Sequence, residues 1–369
     1  MRRHYLDHAS TSPPRPEVVE AVAAWLGRGV GDPGRIHAEG LEARVAVETA
    51  REEVAALLGA RPRSVVFTSG ATEAIATACW GAAERGSHQV LAAVEHSAVR
   101  LGAEAVSEVT IVGVDSAGCI DPAELVAAIR PETSAVHVQL ANHEVGTVQP
   151  VADVVDACRE RGVLVHVDAA AAVGHAPIEF DDLGADLLSV SAHKMGGPAG
   201  VGALLIRRGL RLRPLLRGGE QERARRAGLE PVALVAGFGV AARALHETLT
   251  QEIDEQRRLT DRLRRALDAM PGITSYGHAA DRLPHLVCVG VDGVEPQAVL
   301  LGLDRAGVAA HSGSSCSSES LEPSPVLEAM GVDAHHSLRL STGWSTTDAD
   351  IDAAMAALPT ILHDLRALR

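Results

Sequence analysis

Short apolar runs alternate with amphipathic stretches along the first two thirds of this 369-residue chain, and that alternation restricts the fold more than any other feature. The runs Ser64 to Phe67, Gln89 to Val94, Ala135 to Leu140, Leu164 to Val167, Leu187 to Val190 and Gly202 to Ile206 are brief and sharply bounded, as strands buried on both faces are. Between them, Glu42 to Leu58, Thr72 to Ala83, Pro122 to Ile129 and Val151 to Arg161 place apolar residues at helical spacing. Strand and helix in turn predict an α/β architecture with a mainly parallel sheet under helices. One long helical pattern then runs from Pro231 to Met270 and stops at Pro271 and Gly272, and a domain boundary is predicted within it. Beyond it, strand patterns at Leu286 to Val291 and Ser337 to Leu340, with helical ones after Glu295 and Asp348, predict a smaller α+β domain.

Composition excludes several function classes. A net charge of −14 opposes direct nucleic-acid binding, which draws on clustered basic residues. The longest apolar stretch, Pro231 to Ala242, is shorter than the roughly 20 residues of a membrane span, and no secretory signal is readable, so a cytoplasmic protein without membrane contact is expected. Five scattered cysteines without a CxxC argue against a disulfide framework and a metal site alike. Four of them, Cys79, Cys119, Cys158 and Cys288, sit in apolar or helical patterns and read as buried thiols. Cys316 lies instead in the Ser/Gly run HSGSSCSSES, a loop by composition.

Of the 34 basic residues all but Lys194 are arginine. Arginine can replace lysine in an ion pair or a phosphate contact, but only an amine can lose its proton near neutrality and condense with a carbonyl. In an open α/β sheet, ligands sit beyond the carboxyl ends of the strands, and three segments there are polar. TSGATE, Thr68 to Glu73, opens a helix whose free N–H groups can cradle a phosphate. HVDAA ends a strand on Asp168, either a helix cap or a fixed charge against a pyridine nitrogen. SVSAHK brings Ser191, His193 and Lys194 off one strand end. Together they match what pyridoxal 5'-phosphate requires.

These segments, with YLDHASTSP, Glu95-His96, NHEVGTVQP from Asn142, GGEQERARRAG, SGSSCSSESLEPSPVL and SLRLSTG, make the whole chain resemble the NifS/IscS-like cysteine desulfurases of the class V aminotransferase group, including the specialised DndA-type members. The resemblance implies the aspartate-aminotransferase-like fold type I of pyridoxal phosphate enzymes. Residues 15–255 would form the large cofactor domain, and 1–14 with 256–369 the small domain carrying the cysteine loop. It further implies a homodimer. By position, Lys194 would carry the cofactor aldehyde, Asp168 would face the pyridine nitrogen, and Ala71, Thr72, Ser191 and His193 would hold the phosphate. His96 would stack on the ring, while Asn142, also a cofactor contact, and Arg339 would receive substrate. Cys316 would take sulfur from L-cysteine as a persulfide for an acceptor protein, leaving L-alanine, with no metal involved.

Two positions depart from the family pattern: Ala171 replaces a glutamine that bonds the cofactor's phenolic oxygen, and Leu229 replaces a threonine that reaches the phosphate of the other subunit. The resemblance leaves two alternatives. One is a related class V enzyme, such as a selenocysteine lyase or an aminotransferase. The other is a weakly active cofactor-binding scaffold in a sulfur-transfer complex.

Overall fold

The computed structural model describes residues 3–28, 31–312 and 323–367, so Cys316 lies outside the described residues. The chain begins with strand β1 (His4–Tyr5), helix α1 (Pro16–Arg28) and helix α2 (Ala38–Leu57). It then builds a sheet from β2 (Val65–Thr68), β3 (His88–Ala92), β4 (Glu108–Val112), β5 (Thr133–Gln139), β6 (Leu164–Asp168), β7 (Leu187–Ser191) and β8 (Gly202–Ile206). The connecting helices are α3 (Ala71–Ala82), α4 (Ser97–Glu104), α5 (Pro122–Ala127), α6 (Val151–Arg159) and the short α7 (Phe180–Leu183). Among the described residues this sheet has the order β2-β8-β7-β6-β5-β3-β4, and only β8 runs antiparallel to its neighbours. The predicted runs are therefore the strands, because each is buried along its length. The unpredicted β4 is an edge strand of mixed exposure, which leaves no continuous apolar run to read.

After the short α8 (Gln221–Ala224), α9 (Val232–Asp268) is one unbroken helix. Its first half puts Val235, Phe238, Ala241, Ala242 and Leu245 into the core of the large sheet. Its second half contributes Leu259, Leu263 and Leu267 to a separate core. The remaining elements are β9 (Ile273–Ser275), β10 (Leu286–Val291), α10 (Pro296–Arg305), β11 (Val308–Ala309), α11 (Pro325–Ala329), β12 (Ser337–Ser341) and α12 (Asp348–Ala367). They form an antiparallel sheet β12-β10-β9, and β11 pairs with the N-terminal β1. Leu6 joins the second core, so the two chain ends share it.

One reading needs correction. By length and composition α9 is long and apolar enough to cross a membrane, with mean hydropathy 1.3 over its best window. The run of apolar letters ending at Ala242 concealed this, because Arg243 and Glu247 are the only charged residues of the helix before Glu252, where charge becomes dense. In the fold its apolar face is covered by α1, α2 and the sheet.

Candidate active site

The carboxyl ends of β2, β3, β5, β6 and β7 converge on a cavity of about 470 Å3. At one end β2 passes into α3 through Gly70, whose φ of 154° and ψ of −179° are backbone angles that only glycine adopts freely. A β-carbon on Gly202 would lie 2.8 Å from the Gly70 Cα, so β8 backs the turn closely. The first N–H groups of α3, those of Ala71 and Thr72, thus open into the cavity beside Ser191 and His193. A dianion there would be met by helix-end dipoles and hydroxyls. Glu73 is ionised but its charge is met: burial alone would raise its pKa, but hydrogen bonds from Arg226 and the Ser69 N–H outweigh burial and hold it low, and the Arg226 guanidinium pairs with the carboxylate.

Lys194 follows β7 on a turn of 3-10 helix, Ala192–Lys194. Its Nζ donates to the carbonyls of Ala9, at 2.5 Å, and Ser10, at 2.9 Å. Burial, then the positive charge of Arg339, lowers its pKa from 10.5 to about 8. The amine therefore approaches half-neutrality near physiological pH, as a carbonyl nucleophile requires. Asp168 ends β6 and is buried; its Oδ1 accepts from the Ala170 N–H and the Ser189 hydroxyl, both at 3.0 Å. Burial raises its pKa against the pull of these bonds and of His143 and Lys194.

His96 caps α4, its Nδ1 accepting from the Ala98 N–H at 3.0 Å. Nε2 therefore carries the ring proton, and burial, then His143 and Lys194, lowers the pKa to about 3. The ring meets His143 edge to face at 5.2 Å between centroids. His193 contacts Thr11 Oγ1 through Nδ1 and is likewise kept neutral, at about 4, by burial and then Lys194. Arg339 on β12 is 1% exposed. It donates to the His143 carbonyl at 2.9 Å and to Ser10 Oγ at 2.9 Å, with Asp7 at 3.3 Å. Its Nε–H is buried without a hydrogen-bond partner. An unmet guanidinium donor at a cavity wall suits a carboxylate ligand.

Of the residues chosen from sequence, the fold brings Ala71, Thr72, His96, Asp168, Ser191, His193, Lys194 and Arg339 to this one cavity. Asn142 is the cofactor and substrate contact expected from the resemblance that stands outside this lining. It is fully buried and is not among the cavity-lining residues; its Oδ1 accepts from the Glu144 and Val145 N–H groups, both at 2.8 Å, and its Nδ2 donates to the Val94 carbonyl. The side chain is spent on a turn whose buried N–H groups have to be satisfied. The reading of four buried thiols is corrected at Cys119, which sits partly exposed after the 115–118 turn rather than in an apolar element, while Cys79, Cys158 and Cys288 are buried. Burial is the leading cause that pushes up all four thiols. Cys316 cannot be placed, being outside the described residues. Ala171 lines the cavity and Leu229 is 61% exposed.

Sequence reasoning missed the Ala9 and Ser10 carbonyls, which position Lys194, because any residue type supplies a carbonyl. It also left Glu95 without a role. Burial raises that carboxyl to about 8, above the effect of its bond from the Gln139 N–H, so it is mostly protonated at neutral pH.

Comparison with known proteins places these features in a family. The family model for aminotransferase class V matches residues 4–354. The cysteine desulfurase IscS of Dictyoglomus turgidum is 39% identical, covering 100% of this chain and 96% of its own length. Among solved structures, a NifS-like protein superposes with a TM-score of 0.91 at 31% identity over 99% of both chains. SspA, solved in complex with cysteine, does so at 0.82 and 29% identity, over 93% of this chain and 100% of its own. Class V aminotransferases and cysteine desulfurases depend on pyridoxal phosphate. The cavity fits that group at three places: the α3 cradle at one end, the buried carboxylate of Asp168 at another, and the depressed amine of Lys194 between them. With the match running through nearly the whole chain and the fold agreeing throughout, this protein belongs to the class V aminotransferase family of pyridoxal phosphate enzymes, in the company of its cysteine desulfurases.

Proposed function

We propose that this chain is a cysteine desulfurase, taking sulfur from L-cysteine to give L-alanine and a persulfide on Cys316. The observation that carries this reading is the single lysine of the chain, its amine depressed to about 8, in one cavity with Asp168 and the unmet donor of Arg339. Pyridoxal phosphate, when bound, supplies an aldehyde for the amine and an electron sink that weakens bonds at the substrate's α- and β-carbons. Ala71, Thr72, Ser191 and His193 would hold its phosphate, and Asp168 would keep a proton on its ring nitrogen. Arg339 orients the substrate through its α-carboxylate. Lys194, with its depressed amine, would take the α-proton of the substrate, and neutral His96, with a proton on Nε2, would stand beside the cofactor ring and exchange protons with substrate. The Cys316 thiolate attacks the substrate sulfur: the S–S bond forms as the C–S bond breaks, the electron pair stays on carbon, and a proton there completes alanine.

The persulfide sulfur passes to an acceptor protein. The four described cysteines are all free, which suits thiol chemistry in the reducing cytoplasm. We further infer a homodimer, supported by the exposed apolar Leu26, Ile36 and Val45 on and beside α1 and α2. The division of the chain at 15–255, with 1–14 and 256–369 as the small domain, is supported by the separate apolar core of the second half of α9.

The test is a paired assay of wild type and Cys316→Ala, reading the visible band of bound cofactor and then alanine and sulfide from L-cysteine with a reductant. A band in both proteins, with cysteine-dependent alanine lost only from the variant, is expected. A band without turnover in wild type rejects the desulfurase reading, and no band rejects the site built on Lys194. The depressed amine makes a separate prediction. Because only the neutral amine attacks, cofactor uptake by the apoprotein should quicken as pH rises, with a midpoint near 8. A midpoint at the ordinary 10.5 of lysine would contradict the role given to burial.

A further inference from the structure

Behind Asp168, on the sheet face under α3, lies a row of buried polar side chains. Ser189 donates to Asp168 Oδ1 at 3.0 Å, and His166 Nε2 lies 3.2 Å from the Ser189 oxygen. His166 and His137 face each other Nδ1 to Nδ1 at 3.0 Å, and His137 Nε2 lies 2.8 Å from Gln89 Oε1. Gln89, His137, His166 and Ser189 are all fully buried. Strand register creates the row: His137 pairs with His166 and Asp168 with Ser189 in adjacent parallel strands, so their side chains share a face.

Counting protons along the row gives a definite result. The Gln89 amide is oriented by the Cys79 carbonyl, which can only accept, so Nε2 points there at 3.0 Å and Oε1 must face His137. His137 therefore carries a proton on Nε2. If Asp168 is ionised, Ser189 donates to it, and the serine oxygen must accept from His166 Nε2–H. Two neutral rings protonated on Nε2 would then bring two bare Nδ1 lone pairs to 3.0 Å, which is repulsive. One additional proton removes the conflict in either of two ways. It lies between the Nδ1 atoms, giving an imidazolium opposite ionised Asp168, or it lies on Asp168, with every bond in the row reversed as far as His166. Both forms carry no net charge, as a buried cluster requires.

We propose that Asp168, Ser189, His166 and His137 hold one shared proton, and that it leaves Asp168 for the histidine pair when a positively charged ring nitrogen docks against the carboxylate. The transfer balances without a co-reactant. Asp168 Oδ1–H gives its proton to Ser189 Oγ, and the serine hydroxyl proton passes to His166 Nε2. His166 keeps its Nδ1–H, which His137 Nδ1 accepts. Burial, which raises Asp168 and lowers both histidines, favours the uncharged form at rest. Glu95, His143 and Lys194 are the titratable groups that face Asp168 from outside the row; His137 has burial alone acting on it, and His166 burial and then His137. Ser189 and the histidines are thus positioning residues that let the carboxylate change charge without exchanging a proton with solvent.

The docking half rests on the role proposed above for Asp168, whereas the proton count does not, and the test separates them. Neutron diffraction from deuterated crystals of the full chain, with and without pyridoxal phosphate, should show one deuteron bound to Nδ1 of His166 or His137 in both. Two bare Nδ1 atoms, or a reversed Gln89 amide, would overturn the count. If Asp168 proves remote from the ring nitrogen while the Nδ1 deuteron is present, the cofactor assignment fails and the count stands. Ser189→Ala cuts the row at its bond to Asp168 while leaving every cavity-lining side chain in place. It should shift the pH midpoint of the bound-cofactor absorption and lower kcat on cysteine roughly tenfold or more with KM little changed, and Ser189→Thr, which keeps the hydroxyl, should recover both. An unshifted midpoint in the alanine variant would overturn the docking half.

Discussion

Lys194→Arg abolishes cysteine turnover and the visible cofactor band while leaving the protein folded. Arginine keeps the positive charge and much of the reach of lysine, and the Ala9 and Ser10 carbonyls that now accept from Nζ can accept from a guanidinium. What it lacks is a nitrogen that can be neutral near pH 8, so neither condensation with an aldehyde nor proton removal from substrate remains. Loss of proton transfer alone amounts to roughly 10²–10⁴-fold, and loss of cofactor attachment adds to it. The measurement is an absorption spectrum after cofactor addition, followed by alanine release. Residual turnover within tenfold of wild type would show that Lys194 is one more basic residue of a chain that otherwise uses arginine.

Glu222→Ala destabilises the fold by about 3–5 kcal/mol, the usual result of stranding one partner of a buried ion pair. Arg51 donates to both Glu222 oxygens, at 2.7 and 2.8 Å, and the Phe67 N–H donates to one of them at 3.0 Å. The two side chains are 3% and 1% exposed, so neither charge can turn to water. The same contact holds Glu222, Arg223 and Ala224 at φ of 48°, 59° and 59°, left-handed angles that each cost non-glycine residues energy. Urea unfolding reads the loss as a lower midpoint. Replacing both partners with apolar residues, as in Arg51→Met with Glu222→Leu, should cost less than Glu222→Ala alone, since no buried charge is then left over. A single substitution within 1 kcal/mol of wild type would mean that Glu48, which also accepts from Arg51 and Arg223, suffices to neutralise Arg51 and keep the loop in place.

Much of this protein can be read from its letters. Buried parallel strands and amphipathic helices follow from periodicity, because burial on one or two faces dictates where apolar residues must fall. The site's ends were legible for a related reason: Gly70, Asp168 and Lys194 stand at strand ends or within three residues of them, and a parallel sheet carries such positions to one edge. Lys194 was conspicuous by its rarity alone. Edge strand β4 and the short β1, β9 and β11 were not legible, since pairing rather than burial creates them.

Other features belong to tertiary structure alone. Whether Asn142 meets a ligand or a turn depends on which N–H groups the chain leaves unmet beside it, and no motif records that. The amine of Lys194 is depressed by burial and by Arg339, which lies 145 positions away in the sequence but close enough in the fold for its charge to act. The histidines of β5 and β6 read as strand residues in the sequence, and only the register of two strands sets them face to face behind Asp168. Sequence determined which residues could do the chemistry, because composition and period are local; the fold decided their protonation, because charge and burial act through space.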